Sequence, residues 1–271
     1  MRDGELMPRI KFNLQEKIDV SQLLEEIGVD IIEVGYPGNS ASDFDAVLQI
    51  SQIINDSTIC GLAGANTEEI ISVAQAIKPA KSGRIHTYHN VNLPNKDKLR
   101  LEQELESIKN NISLARNHCG EVEWSAFDAP RSEADFLCKA IETAINSGAT
   151  TISIPDSLGL SSPQEFSQLL EMVFNRVPNI DKAVVSVHCH NDLGKAVENS
   201  LTALNYGARQ IECAINGLGA RKGNADLAAV VGGIGNLENY QIDIDTSLIA
   251  QASDLVAQIT NNQQLTNNTN K

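Results

Sequence analysis

The sequence predicts an α/β fold, a (β/α)8 TIM barrel that lacks most of its first strand. Short apolar runs alternate along the chain with amphipathic stretches in which apolar residues recur at i, i+3 and i+4, a pattern typical of a parallel sheet covered by helices. A glycine marks several passages from helix to strand, at Gly28, Gly148 and Gly207. The length of 271 residues suits one such barrel, for which about 250 residues are typical.

Seven apolar runs are expected to be the strands, and they cover residues 29–34, 58–62, 84–88, 121–126, 150–155, 183–188 and 210–215. An eighth strand would precede Arg2, but the chain begins with the loop that follows it, Arg2-Asp3-Gly4-Glu5. Seven strands leave two unpaired parallel edges, which favour aggregation or pairing with another chain. We therefore expect either an N-terminally clipped product or a gap that another element fills.

The segments between the strands predict helices and a single domain. Residues 14–27 and 133–147 are amphipathic, and Ser162 followed by Pro163 is typical of a capped helix start. No linker or second domain is visible, so we expect one catalytic TIM-barrel domain over residues 1–260. The polar, low-complexity residues 261–271 are expected to be a disordered tail.

Composition excludes several classes of function. The net charge of −14 argues against binding to nucleic acid or to an anionic membrane, since both need clustered cations. No apolar run approaches the ~20 residues of a membrane-spanning helix, and no signal peptide opens the chain. The five cysteines are irregularly spaced, without a CxxC pair, which favours a reduced, cytoplasmic protein.

The segment His188-Cys189-His190 is the strongest sign of chemistry. It ends the apolar run at residues 183–187, and residues i and i+2 of a strand point to the same side. Both imidazoles are therefore able to reach one metal ion. The alternative is a pair of strand histidines of which one is buried and the other solvated.

Two further segments carry candidate residues. Asp3 beside Arg2 offers one metal ligand and one fixed cation, which would suit a metal-chelated 2-oxo acid; the alternative is an ordinary N-terminal salt bridge. Residues 217–224 hold three glycines, two cations and Asn224, and they suit a phosphate or a carboxylate. The alternative for this segment is a simple surface loop.

Polar residues also follow most of the other strands, where the active site of a parallel barrel lies. The candidates are Glu33, His86, Tyr88, Ser125, Asp128, Asp156 and Ser157.

Together these segments resemble the catalytic barrel of the 2-isopropylmalate synthase and homocitrate synthase family, the metal-dependent Claisen-condensing enzymes. The resemblance runs from Arg2 to about Val231. The matching segments are Arg2-Asp3-Gly4-Glu5, Val29-Asp30-Ile31-Ile32-Glu33-Val34-Gly35-Tyr36-Pro37, Arg84-Ile85-His86-Thr87, Ile154-Pro155-Asp156-Ser157-Leu158-Gly159, Ser186-Val187-His188-Cys189-His190-Asn191-Asp192-Leu193-Gly194 and Ile215-Asn216-Gly217-Leu218-Gly219.

The resemblance implies an acyltransferase that condenses acetyl-CoA with a 2-oxo acid, 2-oxoisovalerate in leucine biosynthesis, in a homodimer. It implies a divalent metal, Mg²⁺, Mn²⁺ or Zn²⁺, bound by Asp3, His188, His190 and Asn224. Arg2 would polarise the 2-oxo group and Glu33 would support Arg2. The 2-oxo acid pocket would be lined by His86, Tyr88, Ser125 and Ser157.

The sequence departs from the family pattern in four places. The first strand is missing, and so are the family's C-terminal subdomains. Phe127 stands where relatives carry a catalytic glutamate, and Ala220 stands where another glutamate is usual. Asp128 is adjacent to Phe127 but is expected to point elsewhere.

These departures leave two alternatives to a synthase. One is a catalytically impaired or truncated homologue that binds metal and a 2-oxo acid. The other is a carbon–carbon lyase on the same scaffold, although residues 217–224 lack the cysteine typical of the acyl-CoA lyases.

Overall fold

The computed structural model describes residues 1–93 and 97–269, with side chains up to residue 263. Seven parallel strands pair in chain order as one curled sheet. They are β1 (Ile31–Gly35), β2 (Thr58–Ala63), β3 (Gly83–Asn90), β4 (Glu121–Phe127), β5 (Thr151–Asp156), β6 (Val184–Cys189) and β7 (Gln210–Glu212). The predicted fold class is confirmed, because each expected run contributes one strand and the described residues form no eighth.

Helices connect the strands and cover the outside of the sheet. They are α1 (Leu14–Ile27), α2 (Ala41–Ile53), α3 (Thr67–Ala76), α4 (Lys98–His118), α5 (Ala134–Asn146), α6 (Pro163–Arg176), α7 (Ala196–Asn205), α8 (Leu227–Gly235) and α9 (Ile249–Thr269). Helix α1 has the bounds that the sequence predicts. The expected cap of α6 is present as a capping box, in which the Ser162 hydroxyl accepts from the backbone N–H of Glu165.

The place of the eighth strand is a gap between β1 and β7. Within the described residues these two strands pair with β2 and β6 only. A cavity of about 500 Å³ lies between them, lined by residues 29–33 of the β1 side and residues 209–215 of the β7 side, with apolar side chains of α1 and α8 behind. The chain opens at the carboxyl end of this gap, where the backbone N–H of Arg2 donates to the carbonyl of Glu33 over 3.2 Å.

Two different cores hold the fold. Between sheet and helices the core is aliphatic, with Trp124 as its largest fully buried side chain. Inside the barrel the side chains are polar: Arg84 is 7% exposed and donates to the carboxylate of Glu123 and to the amide oxygen of Gln210. Because burying an unpaired charge is costly, this interior depends on its hydrogen bonds being complete.

The end of the chain differs from the disordered tail that we expected at residues 261–271. Residues 261–269 are the last turns of α9, and residues 270 and 271 lie outside the described residues. At the start of this segment, the side-chain amide of Gln263 accepts from the backbone N–H of Lys11 and donates to the Lys11 carbonyl, each over 2.9 Å. This pair of bonds ties α9 to the segment ahead of α1.

Among the helices of the described residues, none combines the length and apolar character that crossing a bilayer requires.

The turn from α7 to β7 is expected to require glycine at position 207. Its φ of +102° is unfavourable for other residues, and a Cβ there would lie 2.6 Å from Cζ of Phe174. Gly207→Ala should therefore lower the free energy of unfolding by about 1–3 kcal/mol in urea titrations. The control is Gly232→Ala within α8, where a Cβ meets no atom within 4 Å; it should raise stability by about 0.5–1 kcal/mol. Equal stability of the two variants would contradict this account.

Candidate active site

Three of the predicted metal ligands lie together at the carboxyl ends of the strands. His188 is in β6 and His190 follows it, while Asp3 begins a short 3-10 turn at the mouth of the gap. One ligand atom of each lies within 4.8 Å of the others, and the Nε2 atoms of the two imidazoles are 3.4 Å apart. Both histidines face the same cluster, which excludes the alternative of one buried and one solvated residue.

Asn224 joins this cluster from the loop after β7. Its Nδ2 donates to Oδ2 of Asp3 over 2.5 Å and to the carbonyl of Leu218 over 2.9 Å. Its Oδ1 is buried and has no hydrogen-bond partner among the described residues. A Cβ at Gly219 would lie 2.8 Å from Oδ2 of Asp3 and would collide with the Asn224 amide, so glycine leaves the room that these two side chains need.

The electrostatics of the cluster suit a cation. Burial and the neighbouring His188 lower the pKa of His190 to about 4, which keeps this imidazole neutral and able to donate a lone pair. Burial opposes ionisation of Asp3, but Arg2 and His188 outweigh it and hold the pKa of Asp3 below its usual range. Two imidazole nitrogens, one carboxylate and the orphaned amide oxygen of Asn224 form a donor set that fits a divalent metal ion.

Arg2 lies beside the cluster and is fixed from two sides. Its Nε donates to Oε2 of Glu33 over 2.8 Å, and its Nη1 donates to Oδ1 of Asp3 over 2.9 Å. No bond joins its Nη2 to another described residue. The Arg2 and Asp3 side chains are 16% and 14% exposed, so their pair is more buried than the exposed N-terminal salt bridge that we considered as the alternative.

Glu33 continues the network into the barrel. Its Oε1 contacts Nδ1 of His86 over 2.6 Å, and Nε2 of His86 contacts the Ser125 hydroxyl over 2.7 Å. Burial opposes ionisation of Glu33, but Arg2 and His86 outweigh it and lower its pKa to about 2. The structure therefore brings together four predicted site residues, Arg2, Glu33, His86 and Ser125, in one chain of contacts.

A second group of ligand-type side chains, Glu33, Cys60 and His86, also lies within 4.8 Å. It does not suit a metal, because both ring nitrogens of His86 are already in contact with Glu33 and Ser125. In addition, burial raises the pKa of the Cys60 thiol well above its usual value, whereas a metal binds the thiolate.

The remaining pocket candidates lie further along the rim. Tyr88 is two residues beyond His86 on the same face of β3, and its ring centroid is 6.2 Å from that of Phe127. Phe127 ends β4 and is 42% exposed. The Ser157 hydroxyl accepts from the backbone N–H of Asp128 over 2.9 Å, and no hydrogen bond between described residues joins it to His86 or Ser125.

Asp128 does not replace the carboxylate that relatives carry at position 127. It adopts the left-handed backbone conformation with φ +67°, and its carboxylate accepts from the guanidinium of Arg131 and from Nδ2 of Asn92. It is 4% exposed and points into this local network, as the sequence predicts.

The glycine-rich loop at residues 217–224 is hydrogen-bonded to neighbouring segments through Arg221. Arg221 donates to both carboxylate oxygens of Asp192, each over 3.0 Å, and to the carbonyl of Ser157 over 2.8 Å. The loop thus ties together the segments that follow β5, β6 and β7. It does not offer Arg221 as a free anion-binding cation.

Sequence reasoning missed Glu212, which contacts His188 from β7. The Nδ1 of His188 lies 3.1 Å from Oε2 of Glu212. The sequence carries a signal for this residue, because Glu212 is a charged residue within a short apolar strand. The two-residue period of a strand places it on the same face as Gln210, toward the barrel interior.

The fold is shared with solved enzymes of low sequence identity. The chain is similar to the HMG-CoA lyase of Brucella melitensis with a TM-score of 0.77 and 18% identity, over 95% of each chain. It is also similar to the carboxyl transferase domain of Rhizobium etli pyruvate carboxylase, with a TM-score of 0.76 and 14% identity over 97% of this chain and 46% of that one. These similarities show that the chain has the same parallel α/β barrel fold as these enzymes.

The family follows from the sequence comparisons. A family model described as HMGL-like matches residues 1–256, and the chain belongs to this family. It is 48% identical to the 2-isopropylmalate synthase of Caulobacter vibrioides over 266 residues and 46% identical to that of Dechloromonas aromatica over 266 residues. These matches cover 96% of this chain but 51% and 52% of the relatives. The resemblance to 2-isopropylmalate synthases is confirmed, and the chain spans about half the length of these relatives.

The pairing of His86 with Glu33 predicts a pH dependence of stability. Burial opposes protonation of His86, but the charge and hydrogen bond of Glu33 outweigh it and raise its pKa to about 9. Since a free imidazole has a pKa of about 6.5, this protonation stabilises the fold fully below pH ~6.5, and the stabilisation is lost as the pH rises through about 9.

Urea unfolding of the wild type and of His86→Gln across this pH range checks the prediction. The stability difference between them should shrink as the pH rises. The exposed His118, at the end of α4, provides the control, because His118→Gln should follow the wild type at each pH. A stability difference that is independent of pH would contradict the pairing.

Proposed function

We propose that the chain is the catalytic barrel of an acyltransferase that condenses acetyl-CoA with a 2-oxo acid. The expected acid is 2-oxoisovalerate, which gives 2-isopropylmalate in leucine biosynthesis. One observation carries the proposal: the Asp3, His188 and His190 cluster, completed by the orphaned oxygen of Asn224, lies directly beside Arg2. The names of the curated relatives support the same reaction.

Asp3, His188, His190 and Asn224 would hold the divalent metal, Mg²⁺, Mn²⁺ or Zn²⁺. When bound, such an ion supplies Lewis acidity to the keto and carboxylate oxygens of a 2-oxo acid. The four residues contribute one negative charge and three neutral donors, so a bound divalent ion would keep part of its positive charge to attract the anionic substrate.

Arg2 would stabilise the negative charge that develops on the keto oxygen during carbon–carbon bond formation. Glu33 fixes the guanidinium in place through Nε, and Asp3 fixes it through Nη1. A donor that is already oriented costs little reorganisation when the charge appears. Glu33 therefore acts on the reaction through Arg2.

The substrate pocket would extend from Arg2 along β3 and β4. His86 and Ser125 are polar groups near the base of this pocket and Ser157 is another at its rim, all suited to a carboxylate or a carbonyl. Tyr88 and the exposed Phe127 form an aromatic pair that suits the branched alkyl chain of the 2-oxo acid.

The reaction balances with one water. The methyl group of acetyl-CoA loses a proton, the resulting carbon attacks the keto carbon, and the keto oxygen gains a proton to become the tertiary hydroxyl. Water then hydrolyses the thioester and releases free CoA. Phe127 cannot take part in these proton transfers, because its ring has neither an acidic proton nor a basic atom.

A lyase remains a second candidate, because the chain covers 95% of a solved HMG-CoA lyase. Residues 217–224 contain no cysteine, which favours the synthase. The homodimer and the cytoplasmic location that the sequence implies stay predictions.

The proposal is tested by release of free CoA from acetyl-CoA with Mg²⁺ or Mn²⁺ present. The acids offered are 2-oxoisovalerate, pyruvate, 2-oxoglutarate and phenylpyruvate. We expect metal-dependent release with 2-oxoisovalerate, its loss in His188→Ala, and a decrease of about 10²–10³-fold in Arg2→Gln. His118→Ala, far from the cluster, should leave the rate unchanged.

Other results would select an alternative. No release with any acid, from folded protein that binds Mn²⁺, would contradict the synthase and favour an impaired homologue. In that case Phe127→Glu tests whether the missing carboxylate is the cause. Cleavage of 3-hydroxy-3-methylglutaryl-CoA would instead establish the lyase.

A further inference from the structure

Glu212 is a half-buried carboxylate that has no role in the proposed reaction. It is the last residue of β7, next to the gap, and its side chain is 22% exposed. It points into the barrel beside the cluster of Asp3, His188 and His190. There it contacts two hydroxyl groups and one imidazole of the neighbouring strands β5 and β6.

One carboxylate oxygen of Glu212 is held by the two hydroxyl groups. The hydroxyl of Ser153 in β5 donates to Oε1 over 2.6 Å, and the hydroxyl of Ser186 in β6 donates to the same atom over 2.8 Å. Both serines are fully buried. The carboxylate would otherwise be free to turn about its terminal bonds. Two donors from two different strands restrict it to one orientation.

The other oxygen, Oε2, is thereby aimed at the imidazole of His188, with Nδ1 3.1 Å away. An ionised carboxylate only accepts hydrogen bonds, so Nδ1 of His188 must carry the hydrogen. In the neutral ring the lone pair is then on Nε2, the nitrogen that lies 3.4 Å from Nε2 of His190. The contact selects both the tautomer and the direction that metal binding needs.

We propose that Glu212 is a positioning residue for the metal centre, which sets the tautomer and orientation of His188 and is itself set by Ser153 and Ser186. The inference rests on the metal site of the proposed function. It parallels the action of Glu33 on Arg2: each of the two strands that flank the gap contributes one glutamate, and each glutamate orients one functional group.

Mn²⁺ binding, measured by calorimetry and by electron paramagnetic resonance, tests the proposal without any need for turnover. Glu212→Ala removes the acceptor and should weaken Mn²⁺ affinity by about 10–100-fold. Glu212→Gln keeps one acceptor oxygen for His188 if the Ser153 and Ser186 hydroxyls accept from its NH2 group, and it should recover part of that loss. The control is Glu142→Ala, which removes a carboxylate of similar exposure from α5, where it pairs with Lys139; its Mn²⁺ affinity should match the wild type.

A second measurement needs no variant and therefore does not depend on the folding of Glu212→Ala. Nitrogen-15 NMR of the metal-free wild type, at a pH where His188 is neutral, should find the His188 hydrogen on Nδ1. A hydrogen on Nε2 would overturn the proposal. So would an unchanged Mn²⁺ affinity in Glu212→Ala, or an equal loss in Glu142→Ala.

The failure of this inference and that of the proposed function are distinguishable. If the wild type binds Mn²⁺ but releases no CoA, the acyltransferase fails while the Glu212 comparison still decides the inference. If the wild type binds no Mn²⁺, the metal centre fails, and with it the positioning role of Glu212.

Discussion

The site depends on the ion pair between Arg2 and Glu33. Arg2 and Asp3 belong to no strand, yet they bring one cation and one candidate ligand to the cluster, so a single backbone bond to Glu33 and their side-chain contacts place them. The pair spans 2.8 Å between partly buried groups, and Arg2 also bonds Asp3 over 2.9 Å. Glu33 thus positions both residues at once, although no neighbouring strand of the described residues lies on that side of β1.

The rest of the N-terminal segment supports this arrangement. Lys17 is 2% exposed in α1, and its ammonium pairs with Glu5 over 2.7 Å and with Asp43 over 3.1 Å. The other oxygen of Glu5 accepts from the backbone N–H of Phe12. A buried lysine is tolerated only when it is paired, so the segment that carries Arg2 and Asp3 is attached at both ends by charges that require their partners. The gap between β1 and β7 is therefore closed at its carboxyl end by electrostatics, where a complete barrel would use strand pairing.

Much of this architecture was predictable from the sequence, because periodicity and capping are local properties. Helix α1 and all seven strands follow from apolar spacing, and the capping box at Ser162 follows from residue type. The shortness of β7 was not predictable, since the expected run covers residues 210–215 and the strand ends at Glu212. After Glu212 the chain turns, and Ala214 pairs with Asp226. This turn brings Asn224 back against His190. That path is set by contacts between distant segments.

The site was predictable in its residue types and less so in its connections. The pattern at His188 and His190 indicated metal ligands, and the resemblance added Asp3 and Asn224. No local signal links Glu212 to Ser153 and Ser186, or Gln263 to Lys11, since these partners are 59, 26 and 252 positions apart. Phe127 lies at an open position of the rim, beside one aromatic neighbour, Tyr88, and no local pattern predicts that pairing.

Asp3, His188, His190 and Asn224 are proposed to form one metal centre beside Arg2. Crystals grown with Mn²⁺, measured for anomalous diffraction at the manganese edge, test it most directly. The account predicts one peak that lies about 2.0–2.4 Å from ligand atoms of Asp3, His188 and His190 and from Oδ1 of Asn224. A protein that takes up no ion there, or binds it at Glu33, Cys60 and His86, would contradict the account.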